Sequence, residues 1–273
     1  MVSPIKLTDV ISIPFPNQFK LHLASKNDIG EHPLDHYVQD RNKWIGWNEW
    51  RGKKDEWTRK YIFSFIEYTH IPNAYLFGGA FEVVESCSDR YILKELTEYA
   101  KWEGRLICKF YRKPGLRGRA FYLEKFIDEF DVIQVLPARY DGERFCGYEN
   151  INHSFSTLKA LIQSGKQDWM HKLSNVKGVY IIMDNQTGQS YIGSAYGNDG
   201  IWSRLNCYVN TGHGWNDGLV ELIKEKGMEY ALANFYFSVL EIIKFDSPDE
   251  DILQREAHWK NVMLTRKFGY NKN

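Results

Sequence analysis

Residues 179–184 alternate Val179, Ile181 and Met183 with Tyr180, Ile182 and Asp184, the period of a strand with one strongly apolar face. Asn185-Gln186-Thr187-Gly188 then reads as a turn, and residues 189–194 as a second strand, so the segment is a β-hairpin. A connection of residues 185–188 sets Tyr191 opposite Ile182 and on the face of Tyr180, whereas one more loop residue would separate the two phenols. A helix follows from Asn198-Asp199-Gly200, with Trp202, Leu205 and Val209 as its apolar stripe and Arg204 and Tyr208 four apart on an adjoining face. Residues 214–226 read as another helix, 235–243 as the third strand and 249–267 as the last helix. Ile252, Trp259 and Met263 mark the buried face of that last helix, and Glu256 falls among them. An unpaired buried carboxylate costs several kcal/mol, so Glu256 is expected to be protonated, paired with a base or bound to a metal.

The N-terminal half has a different pattern. Residues 1–22 form an extended lead-in, with Pro4, Pro14 and Pro16 opposing a long helix, and 34–48 hold a short helix. Aromatic and β-branched runs predict strands at 61–68, 74–84, 105–111 and 131–136, with helices at 89–103 and 123–130. Gly78-Gly79 inside the second strand suggests a bulge or a close backbone approach. Trp44, Trp47, Trp50 and Trp57 crowd a region with Arg51, Lys53 and Lys54, a core cluster or a surface on which a base could stack. The loop carrying Arg112, Lys113, Arg117 and Arg119 has four cations and no acid, and is the best phosphate-gripping candidate in the chain. The polar stretch 139–145 marks a boundary. The expected organisation is a β-rich recognition domain at 1–140, a helical connector at 141–175 and a third region at 176–273.

Composition adds exclusions. The 273 residues carry 35 basic and 35 acidic side chains, so any nucleic-acid contact must come from local patches rather than a global field. No stretch of eighteen apolar residues and no basic-then-apolar leader occurs, so neither membrane spanning nor secretion is expected and a cytoplasmic location is. Cys87, Cys108, Cys146 and Cys207 lack the paired spacing of a zinc site and read as reduced thiols.

Gly178-Val179-Tyr180, then Tyr191-Ile192-Gly193, Arg204 thirteen residues after the second tyrosine, Tyr208 four after that, a late Glu256 and a terminal Asn271 form one ordered set. This set resembles the GIY-YIG nuclease family over about residues 176–273. The resemblance implies an α+β chain whose C-terminal α/β domain has a three-stranded antiparallel sheet flanked by helices and hydrolyses DNA phosphodiesters with one divalent ion, magnesium or manganese. By the same resemblance, Glu256 is the metal-binding carboxylate and Arg204 stabilises charge on the scissile phosphate. Tyr180 and Tyr191 are the two motif tyrosines, one of which orients or deprotonates the attacking water. Tyr208 stands where many members have His, and Asn271 braces the site. His213, in Thr211-Gly212-His213-Gly214, is placed to relay a proton or touch phosphate, or is a solvated loop histidine. The N-terminal domain shows a fainter similarity to PUA-like modules, whose superfamily includes readers of modified bases; on that reading the tryptophans line a pocket for a flipped base.

These readings combine as a restriction or defence endonuclease that acts on duplex DNA, with its target read by the N-terminal domain. One active site per chain suggests a homodimer on DNA for cutting both strands. The alternatives are a degenerate nucleic-acid-binding module and a repair or RNA-directed nuclease.

Overall fold

A computed structural model describes residues 3–273; the first two residues of the lead-in lie outside it. The described chain is mixed α+β and divides into two compact units. One takes residues up to Asp28 and His32–Tyr140, the other Ile29–Glu31 and Asp141–Asn273.

The first unit holds a seven-stranded sheet. Its strands are β1 (Phe19–Ala24), β2 (Tyr61–Glu67), β3 (Ala74–Ser86), β4 (Tyr91–Glu95), β5 (Leu106–Lys109), β6 (Ala120–Tyr122) and β7 (Asp131–Val135). The order is β6-β1-β2-β3-β5-β7, with β4 also on β3, and only β1 and β2 run parallel. Helix α1 (Leu7–Val10) precedes β1. The expected helix at 34–48 is two, α2 (Pro33–Gln39) and α3 (Arg41–Glu49). Asp40 has extended backbone between them, and its carboxylate caps the second by accepting from Asn42 N. The helix expected at 89–103 is instead β4 and one 3₁₀ turn at Thr97–Tyr99, because thirteen-residue β3 is long enough to pair β5 along its first half and β4 along its second. Tyr91 is thereby buried and Leu93 lies opposite Val83. Residues 123–130 form two 3₁₀ turns, Leu123–Lys125 and Ile127–Glu129, interrupted at Phe126.

The register shifts where β2 passes Gly78-Gly79, and Trp44 Nε1 donates to the Gly78 carbonyl at 2.7 Å, so the glycine pair marks both a bulge and a close approach. Trp44 and Trp57 are fully packed in the core, which corrects the idea that the four tryptophans together form a stacking surface. Trp50 is exposed, with Arg119 over its ring. Most of the basic loop is engaged within the unit. Arg112 donates to the Leu116 and Gly118 carbonyls, Lys113 pairs with Glu129 and Arg119 pairs with Glu56, while Arg117 is exposed.

The second unit is built on β9 (Lys177–Asp184), β10 (Ser190–Ala195) and β11 (Phe235–Ile243), and its sheet has four strands rather than three. The extra strand is β8 (Asn152–Ser154), which pairs antiparallel with the outer edge of β11, giving the order β10-β9-β11-β8. Helices α4 (Phe155–Gln163) and α5 (Gln167–Ser174) follow β8, from the segment expected to be a connector. Phe155, Leu158, Leu161, Trp169 and Leu173 from these helices share one core with Tyr180, Leu205 and Tyr208, so this segment is part of the unit's packing. Around the sheet lie α6 (Gly200–Thr211), α7 (Asp217–Lys226), α8 (Met228–Asn234), α9 (Asp249–Val262) and α10 (Thr265–Phe268). The last helix thus stops earlier than its periodicity predicts, with Leu264 in left-handed backbone between α9 and α10. Its buried positions are Ile252, Glu256 and Lys260, spaced four apart; Met263 is the C-cap residue just before the break and is exposed.

Glu143, Cys146 and His153 come close together in this unit. His153 Nδ1 accepts from Asn152 N–H, which leaves Nε2 to carry the proton and donate to Glu143 at 2.7 Å. A metal-ligating imidazole normally points its second nitrogen at an acceptor, so the trio is a histidine–carboxylate pair beside a thiol rather than a ligand set.

Candidate active site

The turn between β9 and β10 fixes the register that matters. Tyr191 lies opposite Ile182 and Gly193 opposite Tyr180, so both phenols emerge on one face of the sheet. Each motif glycine is required by close approach. A Cβ on Gly193 would sit 2.5 Å from the Tyr180 hydroxyl, and one on Gly178 would sit 2.2 Å from the Glu241 carbonyl of the neighbouring strand. Tyr180 is held from its other side by Phe237, stacked at 5.0 Å between ring centres.

α6 delivers Arg204 and Tyr208 one turn apart onto these phenols. Arg204 Nε donates to the Tyr180 hydroxyl at 3.2 Å, and its Nη2 donates to the Tyr208 hydroxyl at 3.3 Å and to the Gly214 carbonyl at 3.2 Å. Tyr180 in turn donates to Tyr208 at 3.3 Å. Burial pushes the phenols of Tyr180, Tyr191 and Tyr208 above the ordinary tyrosine value, only partly opposed by Arg204. Burial also weighs against the Arg204 charge, but the phenol oxygens around it hold its pKa above the usual arginine value. Burial thus favours the neutral form of the phenols, and the arginine keeps its charge.

α9 brings Glu256 to the same place. Ser194, at the end of β10, donates to Glu256 Oε2, and the Lys260 ammonium lies 2.6 Å from Oε1. Lys260 also donates to the Asn273 side chain at 2.8 Å. The buried carboxylate expected from sequence is thus paired with a base from its own helix, one turn on. Asn271 is buried and makes a two-point contact with β10, accepting from Ile192 N at 2.9 Å and donating to Ile192 O at 2.8 Å. It acts like an added residue of strand, and fixes the chain end beside Glu256.

Tyr180, Tyr191, Ser194, Arg204, Glu256 and Lys260 all border one cavity of about 540 Å³. Glu256 is the sole Asp or Glu side chain on its wall among the described residues, set against Arg204, Lys260 and Arg266. The cavity therefore suits an anion. The corner at Glu256 also suits a hard cation: it offers a carboxylate with a serine hydroxyl beside it, and the Lys260 ammonium already stands there as a positive charge. A divalent ion would have to share that oxygen with Lys260 or displace it.

Tyr208 is buried beneath the phenols and Arg204 and does not border the cavity, and neither does His213. His213 Nδ1 accepts from Trp215 N–H at 3.0 Å, so its loop reaches the site through the Gly214 carbonyl instead. The polar wall residues to which sequence reasoning gave no role include Ser194, Lys260, Arg266 and Asn273. The i,i+4 spacing of Glu256 and Lys260 was a usable signal for Lys260.

No family model matches the chain, and no curated protein does. Two solved structures are similar to part of it, both of the catalytic domain of the homing endonuclease I-TevI. One matches at 25% identity over 35% of this chain and 96% of that one. The other, a point mutant, matches at 23% identity over 36% of this chain and 94% of that one, and the TM-score is 0.28 in both cases.

Proposed function

We propose that this chain is a metal-dependent endonuclease that hydrolyses phosphodiester bonds of duplex DNA, with the chemistry in the cavity of the second unit. The observation that carries this reading is the convergence of two phenols, one arginine and one carboxylate, from a hairpin and two separate helices, on a single anion-suited cavity. Arg204 receives the scissile phosphate with those N–H groups not spent on the phenols and Gly214, and stabilises the charge that builds on it. Tyr191, kept neutral by burial, orients the attacking water or a phosphate oxygen as a hydrogen-bond donor, while Tyr180, whose O–H is given to Tyr208, orients the water through its hydroxyl oxygen as an acceptor. Glu256, with Ser194 beside it, would hold magnesium or manganese, and the ion when bound supplies charge neutralisation at the phosphate and the leaving oxygen. Asn271 keeps β10, and hence Tyr191 and Ser194, in place.

The first unit is proposed to read the target, in a restriction or defence role; cutting both strands would take a second copy on the DNA or a second event. Incubation with magnesium of plain plasmid and of phage DNA carrying modified cytosines tests both parts. Cleavage confined to the modified DNA supports a modification reader, and discrete bands from plain plasmid support a sequence-specific restriction enzyme. Structured RNA cut in preference to either DNA would move the substrate to RNA. No cleavage of any of them by folded protein would overturn the nuclease reading.

One observation favours the second reading, a nucleic-acid-binding module without catalysis: the Lys260 ammonium neutralises the very carboxylate the chemistry needs. The two readings part on metal affinity. On the nuclease reading, Lys260→Met frees Glu256 Oε1 and tightens Mn²⁺ binding, followed by the free-ion paramagnetic resonance signal, by on the order of tenfold. An affinity unchanged by the substitution would remove Glu256 from the metal site.

A further inference from the structure

The loop between α6 and α7 contains a residue that the fold does not explain. Trp215 has φ of 64°, left-handed backbone that a bulky side chain rarely adopts, and it is 75% exposed. The conformation is held firmly. Thr211 Oγ1 accepts from Gly214 N at 2.9 Å, His213 Nδ1 accepts from Trp215 N at 3.0 Å, and Asn216 N donates to the His213 carbonyl at 2.9 Å before its side chain caps α7. The His213 ring meets the Trp215 ring edge-on at 5.1 Å and sets its direction. Trp215 borders a second hollow, of about 250 Å³, whose wall also includes Tyr191, Arg204, Asp217 and Lys272, the last ion-paired with Glu221. Tyr191 and Arg204 belong to the larger cavity as well, so Trp215 shares a wall with the residue that would meet a phosphate.

A strained and exposed tryptophan is costly twice over, once in backbone conformation and once in apolar surface left in water. Strain held in place at a site is grounds for a functional hypothesis. We infer that Trp215 is a base-stacking residue: its indole face takes a nucleobase of the strand whose phosphate lies at Arg204, and Lys272 lies near the adjoining backbone. Stacking on an aromatic face tolerates any base and fixes the register of the strand, so this residue positions the substrate rather than reading its sequence. The inference rests on the nucleic-acid reading of the cavity and gives Trp215 and His213 distinct parts in it, the one touching the base and the other aiming the indole.

The test is binding without cleavage. Fluorescence anisotropy with labelled duplex and single-stranded oligonucleotides, in EDTA at one fixed salt concentration, compares the wild type with Trp215→Ala, Trp215→Phe and Trp215→Gly. Loss of the indole is expected to weaken binding on the order of 10- to 100-fold in the Ala and Gly variants, and Phe to restore most of it. Because glycine accepts the left-handed backbone without strain, Trp215→Gly should melt at or above the wild-type temperature while binding less well. Equal affinity of wild type and Trp215→Ala, or a Trp215→Gly melting temperature several degrees lower, would overturn the stacking role and make the residue structural. A wild type that binds no nucleic acid would overturn the nuclease reading and this inference together, which separates the two failures.

Discussion

Glu256→Gln is expected to reduce DNA cleavage by on the order of 10³-fold or more while DNA binding is retained. Glu256 is the sole Asp or Glu side chain on the cavity wall among the described residues, so no neighbouring acidic side chain can take over its charge. The substitution also has a cost in the fold. The Lys260 ammonium, 2.6 Å from Oε1 and 5% exposed, loses its counter-charge and keeps only neutral acceptors, the glutamine amide oxygen and the Asn273 side chain. Breaking a buried pair from one side costs about 3–5 kcal/mol, so a fall in melting temperature is expected alongside the loss of activity. Glu256→Gln with Lys260→Met separates the two effects, because it replaces a charged pair with a neutral one of similar volume. The double variant should recover stability and remain inactive; recovery of cleavage in it would show that Glu256 serves the fold and not the reaction. Binding equal in all variants with no cleavage by the wild type would instead favour the binding module.

The parts of the site that were legible in the sequence are those fixed by local periodicity. The four-residue turn placed Tyr180 and Tyr191 on one face, and the register Tyr191 to Ile182 has that geometry. The spacing of Arg204 and Tyr208 placed them one helical turn apart, and they meet the same hydroxyl network. Glu256 stood out as a carboxylate on an apolar face. What was not legible depended on partners distant in sequence. β8 is only three residues long and exists as a strand because β11 offers it an edge, so no periodicity announces it. Residues 91–95 alternate too briefly to be told from a helix until the length of β3 is known. Trp215 was passed over because exposure and positive φ are invisible in sequence.

Arg204→Ala is expected to lower single-turnover cleavage about 10²- to 10³-fold, with a much smaller effect on DNA binding. The guanidinium spans the Tyr180 hydroxyl, the Tyr208 hydroxyl and the Gly214 carbonyl at 3.2 to 3.3 Å, and it borders the cavity as well. A lysine ammonium cannot reach three such partners in one plane, so Arg204→Lys should fall nearly as far as alanine. The pH profile then decides what the phenols do. Burial raises the pKa of Tyr180 above its ordinary value near 10, and Arg204 works against that rise. Were a phenolate the working form, the rate would climb about tenfold per pH unit below that pKa, and removing Arg204 would push the climb to still higher pH. With the phenols neutral, the rate carries no tyrosine limb between pH 7 and 9, in the wild type or in Arg204→Ala. The burial of Tyr180 and Tyr191 favours that second outcome, and Tyr180→Phe should then lower the rate without changing the shape of the profile. A tenfold-per-unit rise that disappears in Tyr180→Phe would make Tyr180 the base, and would mean that Arg204 or a bound cation overcomes the burial that keeps this phenol neutral.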